Sequence, residues 1–270
     1  MWNENIFLSI GLTLFAGLST GIGGLLIVLF KKTNNKLLSI ALGFSAGVMI
    51  YISFVEIFPS SGELLISSMG KTVGSWLNVA SFFAGMLLIA IIDNLVPSFE
   101  NPHEMHKIED IDVVCDLNAN KKLMRTGVFT AFVIAIHNFP EGMATFMSSI
   151  HKPSFGIAIA IAVAIHNIPE GISVAIPIYC ASGSKRKALW ISFLSGLAEP
   201  AGALIAYLIL MPILNDFIFG LLFGAIAGIM VFISFDELLP TASEYGEHHY
   251  SIYGLIAGMI VMSISLLVFM

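Results

Sequence analysis

Long apolar stretches follow one another through almost the whole chain, separated by short polar connections. A helix that crosses a bilayer needs ~20 mainly apolar residues. Eight stretches meet that measure: Ile6–Phe30, Leu37–Phe58, Val73–Val96, Leu123–Ile150, Ser154–Ala181, Ala188–Met211, Ile213–Leu239 and Tyr250–Met270. Pro97 and Pro240 mark the ends of the third and seventh, and the first is rich in Gly, which suits close helix packing. Between the third and fourth lies the longest polar segment, Ser98–Lys122, which is acidic and contains His103, His106 and Cys115. Its composition reads as a solvated linker more readily than as a defined metal site. The pattern predicts an all-α integral membrane protein: one polytopic domain over residues 1–270, with 98–122 as a polar cytoplasmic loop. The first apolar run is too long for a signal-peptide core and lacks a basic segment before it, so it reads as a span.

Composition narrows the class. The chain is 57% hydrophobic and 11% charged, with a mean hydropathy of +0.92, whereas a soluble domain carries about 25% charged residues. Two cysteines make no disulfide framework. There is no basic patch for nucleic acid and no GxxxxGK[ST] loop for a nucleotide. The Lys and Arg positions set the orientation. Ten of the 12 basic residues fall in the connections after the first, third and fifth spans: Lys31, Lys32, Lys36, Lys107, Lys121, Lys122, Arg125, Lys185, Arg186 and Lys187. The opposite side has only Lys71 and Lys152. Positive residues stay inside, so these connections are expected in the cytoplasm and both termini outside it, in a plasma (inner) membrane.

The candidate chemistry occurs twice. Ala135–Gly142 reads AIHNFPEG and Ala164–Gly171 reads AIHNIPEG, each in the middle of a span. Residues at i and i+4 share a helix face, so His137 sits with Glu141 and His166 with Glu170. Each ionisable group costs at least ~2–3 kcal/mol at membrane depth, which argues for a function. An imidazole and a carboxylate on one face, made twice, suit a divalent metal. Pro140 and Pro169 free the carbonyls of Ile136 and Ile165, one residue before each His. The midpoint of the two motifs falls in the turn joining the fourth and fifth spans, so the motifs should meet level near mid-membrane. Glu199, midway along the sixth span, falls at a similar depth and is expected to join them.

A second, longer repeat is present. Gly43–Glu63 (GFSAGVMIYISFVEIFPSSGE) and Gly224–Glu244 (GAIAGIMVFISFDELLPTASE) agree at ten of 21 positions. The second and seventh spans would cross in opposite directions, which makes this an inverted-topology repeat of the kind found in alternating-access carriers. It predicts a 3+2+3 arrangement, with spans 1–3 repeated as spans 6–8 around the central pair 4 and 5. It also places Glu56 near the outer end of the second span and Glu237, beside Asp236, near the inner end of the seventh. Each is a candidate for a metal mouth or, equally, an interfacial anchor.

With its paired His-Asn-x-Pro-Glu-Gly motifs, the sequence resembles the ZIP (Zrt/Irt-like) family of divalent-metal transporters, its bacterial members most of all. The likeness covers nearly the whole chain. It implies uptake of metal into the cytoplasm, with His137, Glu141, His166 and Glu170 holding one ion. It further implies a neighbouring ion held by Asn138, Asn167 and Glu199, with Glu141 and Glu170 bridging, and Met49 joining the first. Some relatives have Asp where Asn167 stands, so the second ion would be held more loosely here. The resemblance also implies an elevator-like movement of the central helices.

Two imidazoles and several carboxylates form a borderline N/O site that suits Zn²⁺ and admits Fe²⁺, Mn²⁺, Co²⁺ or Cd²⁺. The metal is the cargo, and no prosthetic group is called for. The ligands bind only when deprotonated, so uptake should fall at acid pH. The rival readings are an intramembrane metalloprotease and a metal exporter. The first needs HExxH, and here Asn holds the Glu place, so no enzyme is expected. The expected partners are divalent ions and the lipid bilayer, and a homodimer is compatible with a small carrier.

Overall fold

The computed structural model describes residues 5–29, 35–95, 120–210, 215–245 and 248–269. Every regular element among them is helical: α1 (Ile6–Leu29), α2 (Asn35–Ile52), α3 (Phe58–Met69), α4 (Lys71–Leu95), α5 (Asn120–His151), α6 (Pro153–Ser182), α7 (Lys185–Gly196), α8 (Ala198–Ile205), α9 (Asp216–Ile233), α10 (Leu239–Tyr245) and α11 (His248–Phe269), with π turns at Ser53–Ile57, Ala206–Leu210 and Ser234–Leu238. Among the described residues, seven helical stretches are long and apolar enough to cross a membrane by length and composition. The eighth expected span is α5, a 32-residue α-helix and the longest among the described residues. Its basic first turns and the polar residues of its motif dilute its apolar character. His103, His106 and Cys115 lie outside the described residues.

Two helices run past their expected ends, each through a proline. The second span, expected to stop at Phe58, continues from α2 through a π turn into α3 and ends at Met69. The seventh continues past Pro240 from α9 through a π turn into α10. The cause is the same in both. Pro59 and Pro240 have no N–H to offer the carbonyl four residues back, at Val55 and Asp236. The wider π turn takes up the missing bond, and the proline falls in the first turn of the next helix, where it is tolerated. These turns sit at matched places in the long repeat, Ser53 against Ser234 and Ile57 against Leu238, and both serines are fully buried. The sixth span is also broken. Pro200 cannot bond the Gly196 carbonyl, so α7 ends there and Leu197 N–H turns back to the Leu194 carbonyl at 3.2 Å.

Packing gathers the helices into two groups. In one, α1 lies along α6 and α7, and α5 packs on α6, α7 and α8; in the other, α2 pairs with α11, and α9 with α3 and α4. Within the second group, Ser39 Oγ donates to the Ala242 carbonyl at 2.6 Å, and Ser61 Oγ lies 2.6 Å from the Gly220 carbonyl. The repeat equates Ser39 with Gly220 and Ser61 with Ala242, so the two contacts exchange places under it. On the outside, apolar side chains are left bare, Trp76 at 73% and Val268 at 71% exposed. That is a poor surface for water and a suitable one for lipid tails.

Candidate metal centre

The site is built on α5 and α6, and its residues are among the most deeply buried polar groups of the chain. His137, Glu141, His166 and Glu170 are each no more than 3% exposed, and Asn138, Asn167 and Glu199 are fully buried. The i, i+4 spacing places each His over its own Glu, and the hairpin brings the two pairs together crosswise. His137 Nε2 lies 3.4 Å from Glu141 Oε1 on its own helix and 3.4 Å from Glu170 Oε1 on the other. His166 Nε2 lies 3.1 Å from Glu141 Oε1 and 3.3 Å from Oε2. Glu141 is therefore the carboxylate that meets both imidazoles. His137, His166 and Glu170 each offer a ligand atom, and these three atoms lie within 4.8 Å of one another. Donors around one tetrahedral ion with bonds near 2 Å stand about 3.3 Å apart, close to the 3.4, 3.4 and 3.1 Å separations of the His and Glu atoms given above.

The two Asn side chains orient carboxylates. With its amide nitrogen turned toward them, Asn138 donates to the Ile134 carbonyl at 3.2 Å and to Glu170 Oε2 at 3.3 Å. The amide nitrogen of Asn167 donates to the Ala16 carbonyl of α1 at 3.0 Å and to Glu199 Oε1. The break before α8 sets Glu199 in the first turn of that helix, where a negative charge is favoured. Among the described residues, several buried acceptors then remain without a hydrogen-bond partner: Asn167 Oδ1, Glu170 Oε1 and Glu199 Oε2, with His137 Nδ1 and Nε2 and His166 Nδ1 also unbonded. Buried polar atoms are rarely left so, and a set rich in carboxylate oxygen and imidazole nitrogen is the chemistry of a divalent ion. Met49, by contrast, is a fully buried part of the apolar core on α2.

Small cavities open from the group in two directions. One, about 20 Å³, has His137, Glu170 and Ser173 in its wall together with Glu237 and Thr241. The other, about 10 Å³, has Glu141, Thr145 and His166 beside the apolar Val48, Ile52 and Met230. Each has room for about one water. Glu237 is thus brought beside the group, whereas Glu56 lines a separate, larger cavity.

Sequence reasoning overlooked the residue that closes each motif. A Cβ on Gly142 would fall 2.0 Å from the Glu199 carbonyl, and one on Gly171 would fall 1.8 Å from the Thr20 carbonyl. Only a bare Cα admits α8 and α1 so close. Their recurrence at the same motif position was the available signal. Ser192, also unforeseen, lies with Oγ 2.9 Å from the Thr20 carbonyl and 3.0 Å from that of Gly171, linking α7 to this contact.

Membrane-length apolar helices around a buried His/Glu group define a multi-pass membrane protein equipped to handle a divalent cation. The chain belongs to the ZIP family: the family model described as "ZIP Zinc transporter" matches residues 100–266. Among curated relatives, the zinc transporter ZupT of Streptococcus mutans serotype c is 58% identical over 267 residues, covering 99% of both chains. The zinc transporter ZupT of Lysinibacillus sphaericus is 58% identical over 262 residues, covering 97% of both. That of Clostridium perfringens is 54% identical over 278 aligned positions, covering 98% of this chain and 97% of the relative.

Proposed function

We propose that this protein is a secondary transporter that carries divalent transition metal, zinc foremost, across the plasma membrane into the cytoplasm. The crosswise His/Glu group on α5 and α6 carries the reading, because it collects two imidazoles and two carboxylates where no water-exposed role explains them. The near full-length likeness to proteins named as zinc transporters supports it. His137, Glu141, His166 and Glu170 hold the first ion. A second sits toward Asn138, Asn167 and Glu199, with Glu141 and Glu170 between the two. The unpartnered oxygens of Asn167 and Glu199 support that second position. Met49 is the weakest member of the set, since the core packing around it needs no ligand role.

The eight-span topology with both termini outside, and the 3+2+3 repeat, complete the proposal. The matched π turns and the exchanged Ser39 and Ser61 contacts support the repeat. Glu237, beside His137 and Glu170, receives the ion on the cytoplasmic side. No HExxH is present, so the chain is read as a carrier and not as a protease. The test is zinc entry into proteoliposomes with a fluorescent reporter inside, for the wild type beside His137→Ala/Glu170→Ala. Entry that the double substitution abolishes supports the reading; a folded wild type that binds zinc but moves none of it overturns it.

A further inference from the structure

A cavity of about 410 Å³ opens on the side of the protein where Glu56 lies, and its wall includes Glu56, Ser60, Glu63, Ser67, Ser148 and Lys152. At ~30 Å³ per water, it has room for an ion that still carries its hydration shell. Two carboxylates alone would be an ordinary acidic surface. Ser148 makes the difference: it is 1% exposed, it lines the cavity, and its Oγ has no hydrogen-bond partner among the described residues. Lys152 is placed by the turn between α5 and α6, where its N–H donates to the Ser148 carbonyl at 2.9 Å and its backbone is extended. The cavity therefore contains its own cation.

We propose that this cavity is a receiving site for a hydrated divalent cation, contacted by Glu56, Glu63 and Ser148, and that the Lys152 ammonium is a tethered competitor that weakens loading. Two carboxylates facing one ammonium leave a net attraction for a divalent ion, but a shallower one than two bare carboxylates would give. Binding in a conduction path must be weak enough to release the ion, and a covalently held competitor keeps it so. Among the described residues, the wall of the cavity beside Glu237 holds no Lys or Arg, and where Val55 precedes Glu56, Asp236 precedes Glu237. The inference rests on the transport reading, and its test is a binding measurement that can succeed or fail independently of transport.

The experiment uses the full chain carrying His137→Ala/Glu170→Ala, which cripples the buried group, and follows Mn²⁺ binding by the loss of its free-ion EPR signal. A unit charge several ångströms from a divalent ion in a water-filled cavity changes affinity by about three- to tenfold. A weak Mn²⁺ site should remain in this background. Lys152→Gln should tighten it by about that factor, less so at high salt; Glu63→Gln should loosen it similarly, and Lys152→Arg should leave it unchanged. No Mn²⁺ site in this background, or no tightening in Lys152→Gln, overturns the proposal. An equal effect of Lys152→Arg also overturns it, because the turn and not the charge would then be responsible. In proteoliposomes with the native buried group, Lys152→Gln should lower the KM for Zn²⁺ about three- to tenfold with kcat unchanged; a fall in kcat alone counts against it.

Discussion

The helices α5 and α6 carry the same motif and then part company. Up to Gly142 and Gly171 each offers a His, an Asn, a Pro, a Glu and a Gly at equal spacing, and the two His and two Glu side chains meet crosswise. Eight residues past the His, α5 has Thr145 and α6 has Val174; eleven past, Ser148 and Pro177; twelve past, Ser149 and Ile178. The three hydroxyls on α5 are buried and without hydrogen-bond partners among the described residues, while Val174 and Ile178 are fully buried in the apolar core. The shared half makes the site. The divergent half gives its two sides different walls: Thr145, Ser148 and Ser149 along α5 toward Glu56, and along α6 the apolar Val174 and Ile178 beside Ser173, which lines the cavity next to Glu237.

The two copies are not equivalent even within the motif, and this gives the largest expected effect. Glu141 stands next to both imidazoles, whereas Glu170 stands next to His137 and shares its other oxygen with Asn138. Glu141→Gln should lower the efficiency of zinc uptake more than about a hundredfold, because a charged ligand common to both halves is lost. The neutral counterpart Glu170→Gln should cost less, about tenfold, because Glu170 meets only one of the two imidazoles. Uptake kinetics in proteoliposomes measure both, and equal losses would erase the distinction.

What the copies have in common predicts one pH response. Metal binds the neutral imidazole and not the imidazolium. At fixed free zinc, uptake should decline as the pH falls, because protons compete with the ion for the imidazoles of His137 and His166. The decline should approach tenfold per unit where one proton competes, and steepen where both His137 and His166 take part. Zinc flux between pH 8 and 5.5 tests this; a rise on acidification would mean that protons drive the carrier.

The closing glycines test the shared half by packing. Gly142→Ala and Gly171→Ala each force a methyl against a carbonyl of α8 or α1. Each should cost about 1–3 kcal/mol, the usual range for overpacking, read as a lower unfolding midpoint in detergent. The effects should be alike in size, since both helices face backbone at that point.

Much of this was legible in the sequence, for physical reasons that can be named. Burying a charge in lipid is so costly that His137, Glu141, His166 and Glu170 could stand there only together, and spacing alone put each pair on one face. Glu199 was legible on the same ground. The long repeat is read residue by residue, and the π turns fall in register with it. Helix ends were less legible. A proline forbids one hydrogen bond but does not say whether the helix stops or widens, and Pro59 and Pro240 chose the second course. Partners were least legible: nothing in the spacing says that Asn167 reaches the Ala16 carbonyl, or that Glu237 shares a cavity with His137 while Glu56 does not. Those follow from which helices pack together, which no local pattern encodes.

The divergent half yields the smallest effect and the sharpest test of why the copies differ. Thr145 is fully buried, lines the cavity beside Glu141 and His166, and leaves its hydroxyl without a hydrogen-bond partner. An unpaired buried hydroxyl lowers stability by about 1–3 kcal/mol, so Thr145→Val, nearly the same shape, should leave the protein as stable or raise its unfolding midpoint. If the hydroxyl is kept because the passing ion or its water uses it, the same substitution should slow zinc uptake by a few-fold. The reverse change on the other helix, Val174→Thr, should lower the midpoint and leave the rate largely unaltered, because it adds an unpaired hydroxyl where no cargo needs one. Opposite signs of stability and flux at Thr145, with stability alone moving at Val174, would mean that the polar wall of α5 is maintained for transport against the interest of the fold. A Thr145→Val protein that is less stable and transports normally would make the hydroxyl a packing feature, and the difference between the two helices past their glycines would then carry no functional meaning.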